Sequence, residues 1–464
     1  MFVPSILPAA VSERPAELAV RFGVSMDLPA RGVLSAVLPA FDRPKLTLIT
    51  GPSGIGKSTA LAEIERKSPG CTVVQRMTFP ADRAVVEAIA PWASLAEAGS
   101  FLTACGLGEP RLWLRPFQNL SDGEKFRAQL AKALGRHAQA GARSPLLCDE
   151  FCCGLHRRLA KAVAFNFKKA VERLGVSAVI AASMDDFVGD LQPDVIVRLG
   201  GLNGPRIERL DVRQARRAIS LRRGLRILPG SKRDYSAFAA MHYRASDELG
   251  FVDKVFVMRE AFGREPLGIV IYSHAPLELA MRNQATQGWF SRNPRRVNRS
   301  LRILRRLVIH PDVRGCGLGH YLVRRTLPLV GTEFVECLAS MGEFNPVFEK
   351  AGMKRIGQYP VSPRRSAALV ALRAMGIEPN SREFVLHVCR NREVREIVAR
   401  VVYDWYRSTT GGGERRVARQ APELLAQTFR GLVGARPVYY LWQRGHRSSE
   451  TDSFRSEALR RRAG

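Results

Sequence analysis

The sequence predicts two consecutive domains in one chain, an α/β domain followed by an α+β domain with a C-terminal helical elaboration. Three observations predict them. An apolar run ends in a glycine-rich loop that opens a helical pattern at residues 48–60. A second apolar run, Leu146, Leu147 and Cys148, stops at the paired acids Asp149 and Glu150. A strand pattern over residues 303–310 leads into another glycine-rich turn and another helix. At 464 residues the chain can bury two or three separate cores, and its hydrophobic fraction of 46% is that of a globular protein.

Composition narrows the function. The formal net charge is +29, mostly from arginine, which suits bidentate phosphate recognition. An anionic partner is expected, nucleic acid (DNA or RNA) first, with a merely solvated basic surface as the alternative. No run approaches the length of a membrane-spanning helix, and the first residues lack the basic start of a signal peptide. A cytoplasmic location without membrane contact is therefore expected. The eight cysteines include no C-x-x-C, so they read as reduced thiols.

In chain order, residues 19–24 and 32–38 alternate as two strands. The first glycine-rich loop comprises Gly51, Pro52, Ser53, Gly54, Ile55, Gly56, Lys57, Ser58 and Thr59. This is the G-x-x-x-x-G-K-[ST] spacing in a strand–loop–helix context. The glycines let backbone N–H groups turn toward phosphate oxygens, and the helix N-terminus adds partial positive charge. Lys57 reaches the outer phosphates of a bound nucleoside triphosphate, ATP, and Ser58 ligates Mg²⁺. A strand over residues 72–75 ends at Gln75. Ser121 and Glu124 form an N-cap pattern at the head of a helix. Asp149 is placed to hold Mg²⁺ through water, and Glu150 to polarise the attacking water.

Taken together, residues 17–200 resemble the nucleotide-binding domain of ABC-type ATPases. Residues 51–58 match Walker A, Gln75 the Q-loop, residues 120–124 (with Ser121 and Gly123) the signature, and residues 146–150 Walker B. The resemblance implies that Ser58, Gln75 and Asp149 serve the Mg²⁺ and that two chains sandwich ATP as an ATP-dependent homodimer. Three departures stand out. The signature carries Asp122 and Glu124, the D-loop ends in His156, and Met184 occupies the place of the switch histidine. Methionine cannot hydrogen-bond a γ-phosphate as histidine does, so slow hydrolysis is expected.

Residues 200–205 read as a turn and 206–230 as a basic connector. Strands follow over residues 254–258, 266–272 and 303–310, and then Arg314, Gly315, Cys316, Gly317, Leu318 and Gly319 open a helix. A further strand spans residues 334–338, with Asn345 starting a segment that runs to Met353. This combination resembles the GNAT acyltransferase fold over residues 235–360. The resemblance implies that Arg314-x-x-Gly317-x-Gly319 holds the pyrophosphate of acetyl-CoA or another acyl-CoA. Val308, Ile309 and His310 would then lie on the strand that pairs with the pantetheine arm. Candidates for the base are Glu336, Glu343 and His310, and Tyr359 is the candidate acid. The whole chain resembles a small class that fuses an ABC-type ATPase to a predicted acetyltransferase. The GNAT half is loosely similar to phage Mom-type enzymes that acylate adenine in DNA.

Two further segments complete the reading. Between residues 272 and 303 lie Arg282, Arg292, Arg295, Arg296, Arg299 and Arg302 with Trp289 and Phe290, a pattern suited to a nucleic-acid strand with stacked bases, the alternative being that some of these arginines hold the 3′-phosphate of CoA. His242, Tyr243 and Arg244 sit on the expected acceptor helix. Residues 366–432 are largely helical and residues 437–442 form a strand, making the helices an insertion. The expected organisation is an ATPase domain at 1–205, the connector, an acyltransferase domain at 231–445 and a polar tail at 446–464. Two alternatives remain. The same folds could acylate a protein or small amine, or the chain could be a non-catalytic ATP-gated binding module.

Overall fold

A computed structural model describes residues 13–23, 46–141, 144–200, 205–210, 219–241, 249–261, 263, 265–358, 362–410, 417, 419–434 and 437–445. The expected strand at 32–38, the turn at 201–204, Arg213, Arg216, Arg217, residues 242–244, Tyr359 and the tail at 446–464 lie outside them. The chain divides into two compact units. One comprises residues 1–223 with 311–316, the other residues 224–310 with 317–464.

The first unit is built on a six-stranded sheet in the order β2-β3-β4-β1-β5-β6. Its strands are β1 (Leu46–Thr50), β2 (Thr72–Val73), β3 (Leu146–Cys148), β4 (Ala178–Ala182), β5 (Val195–Arg198) and β6 (Arg206–Arg209). The first five run parallel and β6 pairs antiparallel with β5. The central strands β1 and β4 are buried throughout, which explains their uninterrupted apolar runs. Helices Lys57–Lys67, Leu95–Ala104, Asp122–Ala140 and Arg157–Leu174 accompany the sheet. β4 lies between β1 and β3, so the end of β4 sits between the phosphate loop and the acids.

Two expectations for this unit are corrected. Residues 19–22 belong to helix Glu13–Phe22, not to a strand. Its alanines favour a helix, and Glu17 and Arg21 pair one turn apart. The strand at 72–75 is only β2, followed by a 3₁₀ turn, Val74–Arg76, that holds Gln75.

The second unit holds a seven-stranded sheet in the order β12-β13-β11-β10-β9-β8-β7. Its strands are β7 (Leu225–Pro229), β8 (Val252–Glu260), β9 (Pro266–His274), β10 (Leu301–Ile309), β11 (Phe334–Ala339), β12 (Lys354–Gln358) and β13 (Val438–Gln443). All neighbours are antiparallel except β10 and β11. The last strand in sequence, β13, inserts between β11 and β12. Helices Pro363–Ala374, Phe384–Arg390, Arg392–Thr410 and Pro422–Gly434 intervene between β12 and β13 around their own core, which includes Leu372, Phe384, Val398 and Phe429. The expected connector is not one basic link. Ile207 alternates with charged neighbours in β6, and Leu225 and Ile227 alternate in β7, so each end joins a sheet.

Candidate functional site

The phosphate loop joins β1 to helix Lys57–Lys67. Gly51, Gly54 and Gly56 have φ of 153°, 78° and 100°. A side chain at Gly51 would place its Cβ 2.5 Å from the Leu199 carbonyl oxygen. At Gly54 and Gly56 the same direction is open, which leaves backbone accessible on that side. Gly56 is the N-cap and no side chain caps the helix, so the first-turn N–H groups face the loop. Lys57 is buried, and its Nζ donates to the carbonyls of Gly51 at 2.8 Å and Pro52 at 2.7 Å. These bonds hold the ammonium over the loop. The donor set fits a nucleoside triphosphate. Pro52, Ser53, Ile55, Ser58 and Thr59 complete the loop, with Ser58 and Thr59 exposed on the first turn.

The acids at the end of β3 are tied to Gln75. The Gln75 Nε2 donates to the Asp149 carbonyl at 2.6 Å, and the Asp149 N–H donates to Gln75 Oε1 at 3.3 Å. The Glu150 N–H donates to Asp149 Oδ1 at 2.9 Å. Glu150 is exposed with φ of 46°, and Cys152 has φ of 59°. Two left-handed non-glycine residues in one turn store strain where two carboxylates must be aimed. Gln75 thus engages Asp149 through its backbone and does not project alone toward a metal. Ser58, the Asp149 carboxylate and phosphate oxygens form a set suited to Mg²⁺, which takes few protein ligands. Among the described residues no cluster of three His, Cys, Asp or Glu side chains could hold a metal by itself.

The signature segment caps its own helix. The Glu124 carboxylate accepts from the Ser121 N–H at 2.9 Å, while the Ser121 hydroxyl accepts from the Glu124 N–H. The hydroxyl proton is left to donate elsewhere. Gly123 sits tightly, its missing Cβ only 3.0 Å from Leu155 Cδ2. Met184 is exposed, and Arg157, the first residue of its helix, reaches its sulfur at 3.4 Å and Asp186 Oδ2 at 2.9 Å. His156 is the N-cap of that helix.

The second set of residues is less uniform. β10 and β11 pair only from Leu301↔Phe334 to Leu304↔Cys337, and β10 then runs on to Ile309 along β9 alone. A register shift between Leu304 and Arg306 accompanies the divergence. Beyond Leu304 the β11-facing edge of β10 pairs with no strand among the described residues. Val308 is buried, Ile309 and His310 are half-buried, and the His310 N–H donates to the Leu267 carbonyl at 2.9 Å. Gly317 has φ of 82° and is the N-cap of helix Leu318–Thr326, again without a side-chain cap. Leu318 is core, and a Cβ at Gly319 would lie 3.0 Å from Val347. Asn345 is exposed.

Three residues expected to hold a CoA pyrophosphate are engaged otherwise. Arg314, Gly315 and Cys316 belong to the first unit. There Asn166 Nδ2 donates to the Arg314 carbonyl at 3.1 Å, and Arg314 Nη1 donates to the Gly108 carbonyl at 3.3 Å. A Cβ at Gly315 would lie 2.7 Å from Asn166 Nδ2. Cys316 is buried, and its thiol is pushed up to about 12, chiefly by desolvation. Gly317 and the helix turn after it are the part of the loop whose geometry fits a phosphate.

Glu336 is corrected as a base. It is fully buried, and both its oxygens are occupied. Arg282 donates to Oε2 at 2.9 Å and to Oε1 at 2.8 Å, and the Tyr439 hydroxyl donates to Oε2 at 2.9 Å. Arg282 also donates to the carbonyls of Leu277 and Pro276. A carboxylate so engaged anchors an insertion and has no path to a substrate proton. Glu343 is exposed and accepts from Gln358 at 3.3 Å. His310 and Glu343 are left as described base candidates. The stacking role for Phe290 is also corrected, since that ring is buried against Phe334 with centroids 5.4 Å apart. All eight cysteines are free thiols.

Sequence reasoning missed the Arg282–Glu336–Tyr439 cluster and Asn166. The first had a signal: Glu336 interrupts the apolar run of β11, and Arg282 follows apolar Met281 in a short helix. Two lone opposite charges in apolar runs imply each other, because burying either alone is costly.

No family model matches the chain, and no curated protein does. Among solved structures it is similar to the ATP-binding cassette MJ0796, dimeric in a post-hydrolysis state with ADP and Pi. That match has 19% identity over 36% of this chain and 86% of that one, with a TM-score of 0.29. It is also similar to CbiO1 from Clostridium perfringens, part of the ABC transporter complex CbiONQ, at 20% identity over 34% of this chain and 73% of that one, TM-score 0.26. A bacterial Atm1-family ABC exporter with ATP bound matches at 20% identity over 34% of this chain and 32% of that one, TM-score 0.27. No described helix is long and apolar enough to cross a membrane. Independently of these likenesses, strand order and loop geometry make the first unit a phosphate-loop α/β domain.

Proposed function

We propose that the chain is an ATP-binding ABC-type ATPase joined to an acyl-CoA-dependent N-acyltransferase whose acceptor is an amine on a nucleic acid. The observation that carries the second half is the diverging β10–β11 pair beside Gly317. Where parallel strands part, the ladder between them ends, and an extended acyl-pantetheine arm can lie along such an edge as a strand would. An uncapped helix N-terminus at Gly317 supplies charge for a phosphate. β13 pairs along the other edge of β11 and so fixes that strand from the far side.

In this reading a neutral acceptor amine attacks the thioester carbonyl, and a β10 backbone N–H stabilises the developing oxyanion. His310 at the end of β10, or Glu343 through water, takes the amine proton; the intermediate then collapses, the C–S bond breaks, and CoA leaves as its thiolate, which takes up that proton or one from water. ATP would bring two chains together, each completing the other's site with Ser121. Met184 in place of a histidine makes slow hydrolysis the expectation.

The test is mass spectrometry of nucleosides from cells expressing wild type or Gly317→Arg. A Cβ at Gly317 would lie 2.8 Å from His320, so the arginine both strains the turn and fills it. A new acylated nucleoside only with wild type is expected. Its absence from both, with acyl-CoA binding intact, would redirect the search to protein or small-molecule acceptors.

A second reading, an ATP-gated binding module without group transfer, is favoured by the burial of Glu336 and the engagement of Arg314. Calorimetric titration with acetyl-CoA separates the two. Binding lost in Gly317→Arg supports transfer, and no binding by wild type supports the module.

A further inference from the structure

The arm between β9 and β10 carries five arginines and the start of β10 a sixth, and the structure divides the six into two sets. Arg282 is locked to Glu336. Arg296 lies over the Trp289 ring, 4.0 Å from its centroid, and donates to the Trp289 carbonyl at 2.6 Å. Arg302 pairs with Asp253 at 3.0 Å. These three build the arm. Arg292, Arg295 and Arg299 are exposed.

The second set is arranged against its own stability. Helix Pro294–Ser300 contains no acid. Arg295 sits in its first turn, where the helix dipole disfavours a cation. Arg295 and Arg299 are one turn apart and repel each other. Neither has an ion pair among the described residues, whereas Arg66, Arg364, Arg373 and Arg392 on other exposed surfaces each have one. The acid on the arm, Glu278, accepts from Asn283 at 2.8 Å and from the Arg292 N–H at 2.7 Å, fixing the turn that presents Arg292.

The arm is rigidly seated. Met281, Phe290, Val297 and Leu301 pack with Ile303, Phe334 and Tyr439 on one sheet face. After the register shift in β10, Val308 packs with Tyr235 and Phe238. The arginines are therefore held on an arm seated against the start of β10, the stretch that pairs with β11.

We infer that Arg292, Arg295 and Arg299 form a phosphate-contact site for the sugar–phosphate backbone of the acceptor nucleic acid, engaged by charge and without base stacking. This deepens the proposed reading of the second unit and rests on it. Charge complementarity selects the occupant: a basic ridge on a chain of net charge +29. The arm's aromatics are engaged within the protein: Phe290 is core and Arg296 lies over one face of Trp289. The site positions the acceptor and reads no sequence.

The experiment uses the full chain and a short fluorescein-labelled duplex DNA, with binding followed by anisotropy from about 50 to about 300 mM KCl. Arg292→Gln/Arg295→Gln/Arg299→Gln is expected to weaken binding about tenfold or more and to lower the salt slope by about 2 to 3. Arg382→Gln/Arg390→Gln/Arg407→Gln removes the same charge from exposed positions in the helical insertion and is expected to change little. Equal losses in both triple variants, or none in the first, would overturn the site. No nucleic-acid binding by wild type that still binds acetyl-CoA would instead overturn the nucleic-acid reading itself. Arm-dependent DNA binding without acetyl-CoA binding would keep the site and remove the acyltransferase.

Discussion

Glu336→Ala is expected to destabilise the second unit by about 3–5 kcal/mol, because it leaves the Arg282 guanidinium buried and unpaired. Both side chains have no exposed surface. A catalytic base predicts something else: a folded protein with normal acyl-CoA binding and lost transfer. Thermal unfolding of the full chain distinguishes them. Arg282→Met/Glu336→Leu supplies the second arm, since replacing a buried ion pair with apolar groups of similar size is often neutral. Recovery of most of the lost stability in that double variant confirms an anchor. A folded, stable Glu336→Ala that binds acetyl-CoA but transfers nothing would return Glu336 to the list of bases. The Tyr439 hydroxyl also loses its acceptor, so Tyr439→Phe alone should cost about 1–2 kcal/mol.

Lys57→Ala is expected to weaken ATP binding at least about 100-fold, equivalent to about 2.7 kcal/mol. The ammonium is the cation held over the loop by the Gly51 and Pro52 carbonyls. Titration with a fluorescent ATP analogue measures this, with unfolding temperature as the control. The same variant should leave acetyl-CoA binding unchanged, because Gly317 and the open β10 edge belong to the second unit. Wild-type nucleotide affinity in Lys57→Ala would remove the phosphate loop from the reading. Met184→His is a complementary gain test, expected to raise ATP turnover if an imidazole at the end of β4 reaches the γ-phosphate. Arg157 must first release that segment, which it holds through Met184 and Asp186.

The candidate site was legible where one local segment carries the whole arrangement. The phosphate loop needs only a buried strand, glycines with positive φ and a helix start, and residues 48–60 state all three in order. The capping box of Ser121 and Glu124 is local in the same sense. Legibility failed where residue type was right and environment was not. Glu336, an acid on a strand, reads as a base until Arg282 and Tyr439, 54 and 103 positions away, are seen around it. Arg282 and Phe290 looked like nucleic-acid contacts because arginine and aromatics do both jobs, and burial alone separates them. Arg314 and Gly315 match a pyrophosphate loop in spacing, yet Asn166 occupies the space beside them. The alternation at residues 19–22 lost to helix propensity and one ion pair.

By itself the sequence determined the strand–loop–helix of the phosphate loop, the acids at the end of β3 and the helices before the last strand. Each depends on short-range periodicity or on turn chemistry within a dozen residues. Only the tertiary structure decided which arginines build the arm and which face outward. It also decided that β13 enters between β11 and β12, that β10 and β11 part after Leu304, and that Glu336 is buried in an ion pair with Arg282. The physical reason is common to all four. Strand pairing and the pairing of buried charge join residues distant in sequence, and no local pattern records which partner each will meet.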